Sequence, residues 1–178
     1  YMNYTGLRQG DGDFEGYISK GDLNLNGLID AYDISHVAVK LEDGIEPGQS
    51  ASLAGQVTVT ANKKVYNAGE TIEIQVKGTG LHDVNALSFA LPYNSQEMEY
   101  LGTEAQGMKA MRDLTYDRLH TSGQKALYPT FVNLGDKETL EGDVELLTIR
   151  FKAKSKFTLK LNAIDGLLVD KQLNTLDF

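Results

Sequence analysis

The chain has 178 residues, 41% of them hydrophobic, with no cysteine, no tryptophan and a formal net charge of −8 at pH 7. That is enough apolar material for one ordinary domain and a small module, while the missing cysteines exclude a disulfide framework, thiolate chemistry and zinc fingers. The acidic balance argues against nucleic acid as a partner, and no run of about 18 apolar residues offers membrane insertion.

The acidity is uneven: residues 1–50 carry 9 acidic and 3 basic side chains, against 16 and 14 in residues 51–178. The polar opening Tyr1-Met-Asn-Tyr-Thr-Gly6 is not a signal peptide. Glycines at 6, 10, 12 and 16 break any helical or strand pattern over residues 1–20. A calcium-loop register can be written on Asp11, Asp13, Glu15, Gly16, Tyr17, Ile18 and Ser19, closing at Asp22. No helical pattern follows Asp22, however, and Asp22 also opens a better loop, so solvated linker is the preferred reading there.

The better loop is Asp22-Leu-Asn-Leu-Asn-Gly-Leu-Ile-Asp-Ala-Tyr-Asp33. Numbered from Asp22 as position 1, it places Asn24 at 3, Asn26 at 5, Gly27 at 6, Leu28 at 7, Ile29 at 8, Asp30 at 9 and Asp33 at 12. A cation of calcium's size takes about 6 to 8 oxygens, so alternate side chains must converge from a loop that turns at position 6, where glycine tolerates the turn. Asp22, Asn24, Asn26 and Asp33 would supply side-chain oxygens, Leu28 its carbonyl, and Asp30 an oxygen either directly or through water. Asp33 replaces the longer glutamate of the common EF-hand, so the exiting helix must come closer to the ion. The competing reading is an Asx-rich turn that only caps the helix.

This run, Gly-Asp-x-Asn-x-Asn-Gly-x-Ile-Asp-x-x-Asp-Ile before a short helix, resembles one repeat of a dockerin. Dockerins carry aspartate at the twelfth position. The resemblance implies a calcium-folded module, without an entering helix, whose helical surface binds a cohesin. Dockerins usually have two loops, and by this likeness Tyr1 to Leu7 reads as the tail of a first repeat lying upstream.

Asp30 and Asp33 form a capping pair, and Ile34, Val37, Ala38 and Leu41 follow on one helical face. Tyr32, His36 and Val39 fall nearly opposite, which predicts a helix buried on two sides, the second against an upstream repeat or the rest of the chain. From Glu42 the pattern lapses into glycine, proline and serine. The expected organisation is a calcium module over 1–44, a linker over 45–55 and a β domain over 56–178.

In that β domain the period is two. Val57 and Val59; Ile72, Ile74 and Val76; Leu87, Phe89 and Leu91; Leu147, Ile149, Phe151 and Ala153; and Phe157, Leu159 and Leu161 each alternate with polar or smaller residues. Asn67 to Glu70 and Lys77 to Gly80 supply expected turns, and Glu104 to His120 reads as a brief helical or irregular excursion. Many strands without strong crossover helices predict a mainly β, antiparallel sandwich. The segments Thr58 to Ile72, Val84 to Asn94 and Glu141 to Ala153, in that order, resemble a cohesin. That resemblance implies a jelly-roll β-sandwich related to some carbohydrate-binding modules.

Other chemistry is sparse. His36, His82 and His120 lie far apart with no partner at a metal or catalytic spacing. Glu97 and Glu99 would share one strand face instead of opposing each other across a glycosidic bond. Asp113 and Asp117, at helical spacing, read as solvated. No nucleophile elbow, phosphate loop or dinucleotide fingerprint is present. Two functional classes follow. The first, implied by the two resemblances, is a non-catalytic calcium-dependent interaction region of a larger bacterial glycoside hydrolase, extracellular or on the cell surface, whose partner is a cohesin or dockerin module of the same or another chain. The second is a carbohydrate-binding sandwich with a calcium-stabilised appendage, in which 9 tyrosines and 6 phenylalanines build the stacking surface.

Overall fold

The computed structural model describes residues 4–9, 18–41, 52–119 and 125–178. A four-residue helical turn α1 (Ile18–Gly21) enters the loop and helix α2 (Ala31–Leu41) leaves it. Then come β1 (Ala54–Ala61), β2 (Val65–Tyr66), β3 (Thr71–Val84), β4 (Ala86–Tyr93), β5 (Met98–Ala105), β6 (Arg112–Asp113) and β7 (Tyr116–Leu119). The remainder is β8 (Lys125–Tyr128), β9 (Thr130–Val132), β10 (Leu140–Ala153), β11 (Phe157–Thr158), β12 (Ile164–Val169) and β13 (Thr175–Asp177). β1 begins at Ala54, two residues inside the stretch read as linker, and residues 45–51 of that stretch lie outside the described residues, as does the earlier loop register at Asp11 to Tyr17.

One main sheet runs β1-β3-β10-β5 and the other β13-β12-β4-β8-β7, with β9 pairing β4 beyond β8 and β6 pairing β9, while β2 and β11 form a separate two-stranded ribbon. All the pairings are antiparallel, which is the expected mainly β sandwich. Its interior is built by the predicted alternation: Ile72, Ile74, Val76, Leu147, Ile149 and Phe151 from one sheet meet Leu87, Phe89, Leu91, Leu127, Phe131 and Leu168 from the other.

Three details differ from the sequence reading. Lys77 to Gly80 is not a turn: β3 runs through it, and the glycines are taken up where the register shifts against β1 and β10, as bulges do when an extra residue enters one strand. Glu104 to Leu119 holds no helix; it leaves β5, turns near Gly107 and forms β6 and β7. Asp117 therefore lies on β7, where it accepts hydrogen bonds from the Tyr93 hydroxyl at 2.8 Å and from Lys125 at 3.1 Å.

β4 is buried on both faces. Leu87, Phe89 and Leu91 point into the sandwich, while Ala86, Ser88 and Ala90 lie under the N-terminal segment. Ala31 and Ile34 of α2 pack on Ala86, Val132, Leu167 and Val169. The helix thus meets the sheet with the stripe that contains Ile34. Tyr32, assigned above to the opposite stripe, packs at the margin of this cluster and edge-on to His36 at 5.7 Å; the side chain of Val39 lies outside the described residues.

Candidate metal centre

Residues 6–9 run antiparallel to 27–29. Gly6 N–H donates to Ile29 O at 2.8 Å, Ile29 N–H to Leu7 O at 3.0 Å, and Gln9 N–H to Gly27 O at 2.8 Å. This short ladder, closed by Leu7 packing on Ile29, fixes the second half of the loop. Gly27, at position 6, has φ +89°, the left-handed backbone that the turn required and that costs a side-chain-bearing residue roughly 1 to 2 kcal/mol.

The loop is organised by its own oxygens. Asp22 accepts from Asn26 N–H at 3.0 Å and Gly27 N–H at 2.7 Å. Asn24 Oδ1 accepts from Asn26 N–H at 3.2 Å, and Asn26 Oδ1 from Leu28 N–H at 3.0 Å. Asn26 also donates its side-chain amide to Asp30 at 2.9 Å. Asp33 reaches back with one oxygen to Asp30 N–H at 2.9 Å and with the other to Leu23 N–H at 2.7 Å, so the capping pair forms and also ties the helix to the start of the loop. Asp30 caps Tyr32 N–H at 2.9 Å.

Asp22, Asp30 and Asp33 are only 4%, 3% and 0% exposed. Burial pushes the Asp30 carboxyl above its ordinary range and the Asp33 carboxyl up to about 7, and the neighbouring charge of Asp22 raises both. Three buried carboxylates this close in one loop are a costly arrangement unless a cation or protons offset the charge. All six residues of the expected ligand set, Asp22, Asn24, Asn26, Leu28, Asp30 and Asp33, lie in this one loop. Asn24 and Asn26 are exposed, whereas the Leu28 side chain is buried against Ala90, Ala126 and Tyr128 of the sheet. The oxygens already engaged by N–H donors keep a further lone pair each, so the donor set, all oxygen, fits a hard cation. A cavity of about 420 Å³, lined by Arg8, Asn26, Leu28, Asp30 and Asp165 among others, runs along the seam with the sheet.

Polar contacts flank this seam. Thr5 Oγ1 donates to Leu114 O at 2.8 Å, Arg118 donates to Thr5 O at 3.2 Å, Ala31 N–H donates to Ser88 Oγ at 3.0 Å, and Arg8 pairs with Asp165. None of these was legible in the sequence, since their partners are 57 to 157 residues apart. One signal was available: Ala86, Ser88 and Ala90 are small, without the charged side chains of an exposed face, as a strand covered on both sides requires.

The structure also gives His82 partners across β3 and β10. Its Nδ1 lies 3.2 Å from Asp83 and 3.4 Å from Glu141. All three are at least partly exposed, and Glu141 accepts from Asp83 N–H at 2.9 Å and from Thr139 at 2.8 Å, which accounts for its position by closing the bulged strand end. Glu97 sits in the turn before β5 and Glu99 on β5, so they do not share a strand face. His120 lies outside the described residues. No helix among the described residues is long and apolar enough to cross a membrane.

The sandwich has the fold of a cohesin module. It is similar to the cohesin module of a family 33 glycoside hydrolase from Clostridium perfringens, with a TM-score of 0.53 and 17% identity over 71% of this chain and 91% of that one. It is likewise similar to the sixth cohesin of scaffoldin B from Acetivibrio cellulolyticus, determined in complex with a dockerin mutant, with a TM-score of 0.55 and 14% identity over 70% and 92% of the two chains. A type II cohesin domain from the cellulosome of the same organism gives 0.52 and 9% over 70% and 89%. No family model and no curated protein matches the sequence.

Proposed function

We propose that this chain is a non-catalytic, calcium-dependent protein-interaction region of the dockerin–cohesin type, part of a larger bacterial carbohydrate-active enzyme and exported to the cell surface or beyond. The observation that carries the reading is the loop from Asp22 to Asp33, with three buried carboxylates and an all-oxygen donor set, seated against a cohesin-like sheet. Asp22, Asn24, Asn26 and Asp33 hold the ion through side-chain oxygens, Leu28 through its carbonyl, and Asp30 directly or through water. Calcium would offset the carboxylate charge and so stabilise the folded loop by mass action. Asp33 contributes a second effect, because its hydrogen bonds to Leu23 and Asp30 couple the helix start to the loop start.

The interaction class is supported by the fold, and by the fact that one of the similar cohesins was determined with a dockerin bound. Calorimetric titration of metal-stripped protein with calcium tests the proposal: the expected result is a single saturable site, lost in Asp22→Ala. Absence of uptake by the native chain overturns it.

A further inference from the structure

The proposed ligands and the contacts that cover the sheet are carried by the same short stretch. Leu28 would give its carbonyl to the ion while its side chain is buried against Ala90, Ala126 and Tyr128. Asp30 is followed directly by Ala31, whose N–H is bonded to Ser88 and whose side chain, with that of Ile34, is buried on Ala86, Leu167 and Val169. Ile29, between them, packs on Leu7 and holds the ladder to residues 6–9, from which Arg8 pairs with Asp165 of β12. The loop backbone therefore cannot rearrange without shifting the residues that bury the outer face of β4, β8, β9 and β12.

We propose that residues 4–9 and 18–41 are a calcium-held cover on that outer face, so that ion binding and docking are one linked equilibrium and the face's partner is this chain's own segment. The inference rests on the calcium reading above and adds to it the identity of the partner. The sheet side fits this occupant. Small residues at Ala86, Ser88, Ala90 and Ala126 allow backbone and helix to approach, and Gly6 lies where a Cβ would overlap the Tyr128 ring. A foreign helix reaching for the same face must first displace the cover. Because linkage is reciprocal, calcium strengthens docking by the same factor by which docking strengthens calcium binding, so a substitution that weakens docking also lowers the apparent calcium affinity, even when it touches no ligand.

The test uses the full chain. It has no cysteine, so Ala90→Cys places a unique thiol under Leu28, read by its rate of reaction with a disulfide reagent. The expected result is protection in excess calcium and labelling about 5- to 150-fold faster after chelation, the usual range of coupling between sites, with the β circular dichroism retained. In parallel, Leu167→Ala on the sheet and Ile34→Ala on the helix should each weaken calcium affinity within that range. Calcium uptake by the native chain together with a thiol that stays protected after chelation, or with unchanged affinity in both alanine variants, overturns the linkage and leaves the calcium site standing. No uptake by the native chain overturns both.

Discussion

Gly6 lies so close to Tyr128 that a Cβ placed on it would come within 2.5 Å of the ring's Cγ. It also has φ +80°. One residue thus meets two demands, a left-handed backbone and a flat approach of the segment to the sheet. Gly6→Ala is expected to incur about 1 to 2 kcal/mol for the backbone and about 1 to 3 kcal/mol for the overlap. Both costs fall on the docked segment and not on the sandwich interior. Hydrogen exchange should show loss of protection over residues 18–41 with little change in β3 and β10; equal loss in both would mean that the segment and sandwich unfold as one.

How much of this was legible in the sequence differs between the two parts. The sandwich was readable because its alternation is strict at Ile72 to Val76 and Leu147 to Ala153, and period-two burial follows directly from strand geometry. The loop was readable because chelation fixes residue type and spacing together. The seam was not, since Thr5 with Leu114, Arg8 with Asp165 and Ala31 with Ser88 are long-range pairs set by tertiary docking. Amphipathicity told only part of the helix: of the two stripes visible on α2, the one containing Ile34 is buried on the sheet, and Tyr32 of the other packs at the margin of the same cluster.

Asp22 is the loop residue that most constrains the turn, accepting from both Asn26 and Gly27 N–H while nearly buried. Asp22→Ala should abolish calcium uptake and also leave the Gly27 N–H without its acceptor, while Asn26 N–H keeps Asn24 Oδ1, at about 1 to 3 kcal/mol if the Gly27 amide stays buried. Asp22→Asn keeps an acceptor oxygen, so it should retain the turn and lose only affinity. Calorimetry on the two variants separates ligation from loop geometry.

In chelator, the docked segment should be less stable at neutral than at acid pH. Asp33 has a folded pKa of about 7 against an ordinary 3.8, chiefly through burial. Between those values the folded state holds more protons than the unfolded, so stability falls as pH rises from about 4 to 7. Saturating calcium should reverse the trend, since the ion binds the ionised carboxylates and competes with protons. Segment protection followed from pH 4 to 7, with and without calcium, checks both signs. A native chain in chelator whose slope matches that of Asp33→Asn would remove the assignment to Asp33.

Tyr93 tests the sandwich by itself. Its ring is buried against Phe151 at a centroid distance of 4.9 Å, and its hydroxyl donates to both oxygens of Asp117 at 2.8 and 2.9 Å. Tyr93→Phe keeps the ring and removes the donor, leaving the half-buried Asp117 with Lys125. A loss of about 1 to 3 kcal/mol is expected, seen as a lower melting temperature of the β signal at saturating calcium, with calcium affinity unchanged.

Ser88 should behave in the opposite way. It lies on the outer face of β4 between Ala86 and Ala90, and its hydroxyl accepts the N–H of Ala31, the first residue of α2. That N–H belongs to the first turn, where no intrahelical acceptor exists, so the sheet supplies the one it needs. Ser88→Ala removes this acceptor without adding volume. With the segment docked, the Ala31 amide is buried and unpaired, at about 1 to 3 kcal/mol; with it undocked, water satisfies the amide and nothing is lost. The sandwich's own melting should therefore stay within about 0.5 kcal/mol of the native value, while the opening of residues 18–41 becomes easier by the full amount. A thermal scan that followed both, β circular dichroism for the sandwich and proteolysis for the segment, should show only the second transition moving. A shift of the β transition alone would place the Ser88 hydroxyl in the service of the sandwich and not of the seam.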